Sequence, residues 1–123
     1  MIRSVVFAAV LLLAIPAIAP AADVAAGQAA FARCKICHSV QAGAPSPVGP
    51  NLHGVFGRKA GTAAGYEFSD AMKKSGIVWD EATMADYNRD PKAKVPGTKM
   101  VFNGVKNAGQ LADLVAYLKQ ATQ

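Results

Sequence analysis

Cys34, Lys35, Ile36, Cys37 and His38 gather both cysteines of the chain and one of its two histidines into five residues. Two thiols separated by two residues and followed at once by an imidazole form C-x-x-C-H, the attachment pattern of a c-type haem. Each thiol adds to a porphyrin vinyl group as a thioether, and the adjacent imidazole reaches the iron from one side. What such an iron does depends on the group that meets its other side. The candidates are His53 and four methionines: Met1, Met72, Met84 and Met100. Met72 and Met84 fall on helical stretches, where core packing is the commoner role. His53 lies in a glycine-rich turn near Pro50 and reads as exposed rather than ligating. Met100 follows Pro96-Gly97-Thr98-Lys99, in which a fixed proline and a permissive glycine can hold a thioether inward, so it ranks first.

The elements that position these groups are modest. A chain of 123 residues suggests one domain. With 52% apolar residues and no basic low-complexity run, it reads as a packed protein rather than a nucleic-acid tail, and the net charge of +5 favours an acidic partner. Arg3 precedes an apolar run from Val5 to Ile15, and Ala19-Pro20-Ala21 fits the A-x-A rule, so residues 1–21 read as an export signal cleaved after Ala21, which also removes Met1. The rival is an uncleaved membrane anchor, since Ser4 to Ala22 carries no charge, although Pro16 and Pro20 weaken a spanning helix. Losing Arg3 leaves 12 of the 13 basic residues against 8 acidic ones, a net +4 on residues 22–123.

Asp23 caps a first helix on which Val24, Gly27, Phe31 and Cys34 recur at helical spacing. A glycine inside a helix costs about 1 kcal/mol against alanine, so a close helix crossing would account for Gly27. Ser39 to Gly61 is loop, broken by glycines and prolines, and so long a run suits wrapping around a large planar cofactor. Ser69 and Asp70 open a short helix through Lys74 that Ser75-Gly76 ends, and Asp80 opens another that stops before Pro91. Pro91 and Pro96 predict an extended Lys92 to Met100. Asn107 with Gln110 reads as a capping box, beginning a helix whose apolar stripe is Leu111, Leu114, Val115 and Leu118, with Tyr117 placed to meet Phe31. With no repeat and no alternating strand, the expected fold is all-α.

At this point the chain resembles class I cytochrome c, the His/Met type with one haem. The resemblance rests on CKICH at 34–38, GPNLHGVFGRKAG at 49–61, Trp79, DPKAKVPGTKM at 90–100 and LADLVAYLK at 111–119, and it spans residues 22–123. It implies one covalent haem c on Cys34 and Cys37, with His38 and Met100 as axial ligands. It further implies that the Pro50 carbonyl orients His38, that Arg58 and Trp79 contact a buried propionate, and that Tyr87 and Thr98 line the methionine side. On the residues alone, Trp79 and Tyr87 would be core aromatics and Arg58 a solvated charge. Phe68 and Met72 depart from the tyrosine and asparagine common at these places, and Ala44-Pro45-Ser46-Pro47 lacks the basic residues of several relatives.

An iron closed on both faces carries electrons rather than binding substrate, and a thioether raises its potential by favouring the ferrous state. The resemblance therefore implies a periplasmic electron carrier, not an enzyme. It would work as a monomer between a quinol-oxidising bc-type complex or dehydrogenase and an oxidase, meeting membrane complexes transiently and no nucleic acid. Lys35, Lys92, Lys94 and Lys99 would steer acidic docking faces. Among competing classes, a peroxidase requires Met100 to leave the iron. A thiol-disulfide oxidoreductase lacks its βαβ pattern, and a zinc site has only Cys34, Cys37, His38 and His53 without paired spacing.

Overall fold

In the computed structural model, residues 10–18 and 20–123 are described. Arg3, Met1 and Ala19 lie outside the described residues, and with them part of the export-signal reading. Residues 10–18 carry no regular secondary structure, and among the described residues no helix is long and apolar enough to cross a membrane.

Five helices follow from their caps, and the described chain holds no strand. Helix α1 (Val24–Phe31) begins where the Asp23 carboxylate accepts the Ala26 N–H at 3.1 Å. The last, α5 (Ala108–Ala121), begins where the Asn107 side chain accepts the Gln110 N–H at 3.0 Å. The apolar stripe of α5 is buried along its length, at Leu111, Leu114, Val115 and Leu118. It meets the face of α1 that carries Gly27 and Phe31, and the Phe31 and Tyr117 rings lie 5.3 Å apart. A Cβ on Gly27 would stand 2.7 Å from the Cβ of Tyr117 and collide with the Asp113 carbonyl, so the crossing needs a glycine there. That contact accounts for a residue that local propensity disfavours.

Between these two helices run α2 (Asp70–Lys74), capped by Ser69, and α3 (Glu81–Arg89), capped by Asp80. The reciprocal capping box forms on α3, where Asp80 and Thr83 exchange bonds, rather than at Asn107. One expectation fails. Lys92 to Lys94 are not extended but belong to a fourth helix, α4 (Pro91–Lys94). Proline breaks a helix it interrupts but starts one well, since its missing N–H would have no partner in the first turn anyway. Asp90 supplies the cap by accepting from Ala93. Only from Val95 to Met100 does the segment run outside a helix.

The long segment from Ser39 to Gly61 is loop, as its punctuation predicts, with an isolated antiparallel bridge between Lys59 and Val78. Around that bridge Gly57 donates to Trp79, Trp79 to Arg58 and Ala60 to Ile77, at 2.7 to 3.0 Å. These bonds hold Arg58 beside Trp79.

Candidate haem site

The five residues of the motif wind directly off the end of α1. The N–H groups of Cys34 and Lys35 bond to the Phe31 carbonyl, and those of Cys37 and His38 bond to the Cys34 carbonyl. Successive turns thus fix Cys34, Cys37 and His38 relative to one another before any cofactor is considered. The two thiols are half-buried and not joined to each other. Burial pushes the Cys34 thiol pKa up, with the Arg33 guanidinium pulling it back in part.

His38 is oriented by a single strong bond. Its Nδ1 lies 2.7 Å from the Pro50 carbonyl oxygen. A carbonyl only accepts, so Nδ1 carries the proton and Nε2 keeps a free lone pair on the other side of the ring. Burial lowers the imidazole pKa, against the opposing pull of the Pro50 bond, so the neutral form that ligates a metal is favoured. Gly49 makes room for this arrangement. A Cβ there would stand 2.9 Å from Nδ1 and 3.0 Å from Nε2, so the ring lies flat on backbone that only glycine leaves bare. Gly49 also donates to the Cys37 carbonyl at 2.8 Å. Sequence reasoning treats this glycine as a chain breaker; its position just before the orienting Pro50 is the signal for the closer role.

All three motif side chains, Cys34, Cys37 and His38, face one cavity of about 250 Å³, and Met100 reaches it from the far end of the sequence. Met72 and Met84 are buried in its wall, at 7% and 5% exposure, so core packing and cavity lining coincide for both. His53 does not line it and is half-buried rather than exposed. Its turn is held down by two bonds: Gly54 N–H to the Thr122 carbonyl at 2.6 Å, and Arg58 Nη2 to the His53 carbonyl at 2.8 Å.

On the methionine side the hydroxyls of Tyr87 and Thr98 lie 2.6 Å apart, and the Met100 N–H reaches the Thr98 oxygen at 3.4 Å. The Trp79 and Tyr87 rings pack 5.4 Å apart, and both residues line the cavity. Reading them as core aromatics and as site residues is therefore one statement, because the cavity lies within the core. Arg58 faces the same cavity and is not a freely solvated charge, being tied to the His53 carbonyl. Phe68 and Met72, the two departures noted in the sequence, also line it, and Phe68 stands edge-on to Tyr66 at 4.8 Å.

The lysines divide. All four docking candidates are exposed, but Lys94 pairs with Asp86 at 3.5 Å and Lys99 donates to the Glu67 carbonyl at 2.7 Å at the cavity rim, while Lys35 and Lys92 make no such bond among the described residues. Arg33, which composition does not single out, also lines the rim, with its guanidinium 5.5 Å from the centre of the Phe102 ring. Its place next to Cys34 was the available clue.

Paired thiols, a neutral imidazole with a free nitrogen and a thioether around one apolar hollow fit a covalently held iron porphyrin. No three of His, Cys, Asp and Glu among the described residues converge as a metal cluster. Residues 24–122 match the family model described as cytochrome c. The chain belongs to the cytochrome c family. It is 51% identical over 118 residues to cytochrome c2 of Blastochloris viridis, covering 96% of this chain and 93% of that one. It is 52% identical over 96 residues to cytochrome c-550 of Bradyrhizobium diazoefficiens, covering 78% and 71%. Among solved structures, cytochrome cH from Methylobacterium extorquens superposes with a TM-score of 0.74 at 54% identity, over 80% of this chain and 98% of that one. The fold is the all-α fold of class I cytochrome c, with a covalent haem c. Members of this family carry electrons and are not enzymes, and this chain is a monohaem electron carrier.

Proposed function

We propose that His38 and Met100 are the two axial ligands, that Cys34 and Cys37 carry the thioethers, and that the carrier shuttles single electrons in the periplasm. The observation that carries this reading is the meeting of both thiols, the pinned His38 imidazole and the Met100 thioether on one cavity. The haem supplies one-electron Fe(III)/Fe(II) chemistry. The chain supplies everything else. Pro50 holds the His38 ring in one orientation, and the buried walls formed by Trp79, Tyr87 and Leu118 keep water from the centre. Arg58 and Trp79, both on the cavity wall, would contact the inner propionate, and Tyr87 with Thr98 steadies the Met100 segment. With His38 and Met100 both ligating, the iron would have no open position for oxygen or substrate. A thioether raises the potential, which suits a donor to a terminal oxidase fed by a quinol-oxidising bc-type complex or a dehydrogenase.

Residues 1–21 are read as the cleaved export signal and 22–123 as the cytochrome domain. The protein is read as a monomer that docks transiently on acidic faces of membrane complexes through Lys35, Lys92, Lys94 and Lys99. N-terminal sequencing of the exported protein checks the cleavage: a terminus at Ala22 supports it, and a retained Met1 overturns it in favour of an anchor. A reduced-minus-oxidised visible spectrum, with haem staining after denaturing electrophoresis, checks the ligation in parent and Met100→Ala. The stain persists in both, while the variant loses the thioether-to-ferric absorption and gains affinity for added imidazole. An unchanged ferric spectrum in Met100→Ala would show that another residue ligates.

A further inference from the structure

The peptide unit between His53 and Gly54 is held at one end by Arg58, five residues on, and at the other by Thr122, near the far end of the sequence. Its carbonyl accepts from Arg58 Nη2 at 2.8 Å, and its N–H donates to the Thr122 carbonyl at 2.6 Å. Thr122 is not a loose chain end. It is 2% exposed, its N–H and hydroxyl both bond to the Leu118 carbonyl, at 3.0 and 2.7 Å, and Leu118 lines the cavity. Gly54 adopts φ +69°, which lets the turn present its N–H to the end of α5. A Cβ at Gly54 would stand 3.3 Å from Arg58 Nη2, so the guanidinium passes close over this bare backbone.

We infer that Thr122 is a positioning residue for the cavity: its carbonyl, through the His53 to Gly54 peptide, fixes the Arg58 guanidinium at the cavity wall and so tunes the reduction potential. The inference rests on the reading of Arg58 as the charge facing the inner propionate. An amide whose N–H already donates has a more polarised carbonyl, so the bond from Thr122 strengthens the bond to Arg58. The effect on potential follows from charge. A cation held near the iron favours the ferrous state, and a guanidinium that swings toward water is screened and favours it less. The C-terminal turn of α5 then contributes to the electrostatics of electron transfer as well as to packing.

The test is a double-mutant cycle on the full holoprotein, with midpoint potential and amide hydrogen exchange at Gly54 as readouts. One arm is Arg58→Gln, the other a chain ending at Ala121, which lacks the Thr122 carbonyl. Thr122→Val keeps that carbonyl and most of the side-chain volume but loses the hydroxyl bond, and it controls for general loosening. The shortened chain is expected to exchange the Gly54 amide faster and to lower the potential, and to lower it much less in the Arg58→Gln background. Thr122→Val is expected to lose stability with the potential unchanged. The direct effect of the new terminal carboxylate on the iron is common to both backgrounds and drops out of the comparison, and the Gly54 exchange rate separates loss of the bond from any pull of that carboxylate on Arg58. Additive shifts in the cycle overturn the inference, as does Thr122→Val shifting the potential as far as truncation. If Arg58→Gln alone leaves the potential unmoved, the reading of Arg58 itself fails, whatever the Gly54 exchange shows.

Discussion

Replacing Gly27 by alanine sets two energies of opposite sign against each other. Helix propensity favours alanine in the middle of α1 by about 1 kcal/mol. The crossing opposes it, because the added Cβ would meet the Asp113 carbonyl carbon at 2.6 Å and Tyr117 Cβ at 2.7 Å, where ordinary contact begins at 3.4 Å. One of these neighbours is backbone and the other is the first side-chain atom, so neither turns aside, and with the Asp113 carbonyl oxygen closer still the helices must part by at least ~1 Å, a gap that forfeits about half of each contact across the seam. For Phe31, Leu114 and Tyr117, which bridge the seam, that amounts to roughly 1 kcal/mol each. The net destabilisation is about 2 kcal/mol, within the ~1–3 kcal/mol range of overpacked cores. Urea denaturation of the holoprotein followed by far-ultraviolet circular dichroism should show a midpoint lower by about 1 M. Gly109→Ala, in the first turn of α5, is the control, since its Cβ meets only the Asn107 side chain at 3.3 Å, and it should lose no more than about 0.5 kcal/mol against the parent. A Gly27→Ala protein as stable as the parent would refute the close crossing as the reason for the glycine.

Asn107→Ala removes the acceptor that caps α5 and should cost about 1 kcal/mol in the same assay, with Asn107→Ser recovering most of it; equal losses in the two variants would discount the cap. The Asp80 carboxyl is held below its ordinary 3.8, first by the Thr83 N–H and then by the Thr83 hydroxyl, so its stabilising effect is complete above that value and disappears as pH falls through the lower folded value. Asp80→Asn keeps an acceptor without the titration, so acid unfolding of the variant should depend less steeply on pH in that range, and a slope identical to the parent's counts against the linkage. Reduction of an acidic oxidase should slow as ionic strength rises, more in the parent than in Lys35→Gln/Lys92→Gln, while a rate indifferent to salt removes the steering patch.

What the sequence disclosed and what it hid divide along a physical line. Helices α1, α2, α3 and α5 were legible because each starts at Asp23, Ser69, Asp80 or Asn107, side chains that satisfy the free N–H groups of a first turn. Helix α4 was not, because Pro91 carries two meanings and the deciding one, that it sits at the first helical position behind Asp90, depends on a backbone angle that spacing does not reveal. The motif and Met100 were legible as types, and family resemblance supplied the wall of Pro50, Arg58, Trp79, Tyr87 and Thr98. The half-burial of His53 and the grip of Thr122 on Gly54 were not legible. The grip is a backbone bond between residues 68 apart in number that no periodicity records, and it holds down the turn that carries His53.

The two sides of the cavity are built from different materials. On the side of Cys34 to His38, backbone bonds from Cys34, Lys35, Cys37 and His38 close successive turns, and Val48 and Gly49 fold back onto the Cys37 carbonyl. Pro50 then holds the ring. On the side of Met100, the Thr98 N–H bonds to the Val95 carbonyl at 3.0 Å, and beyond it the links are side chains: Tyr87 to Thr98, Thr98 to Met100 at a long 3.4 Å, and Lys99 to the Glu67 carbonyl. Among the described residues, Val101 to Gly104 contribute no backbone N–H bond to the rest of the chain, and Val101 is 94% exposed. Local opening is easiest where backbone bonds are few and apolar burial is small. The sequence length between the two sides enforces this difference. The near side grows out of α1 by local turns, whereas the far side must be brought back by loops and can be secured only by the side chains that happen to meet it.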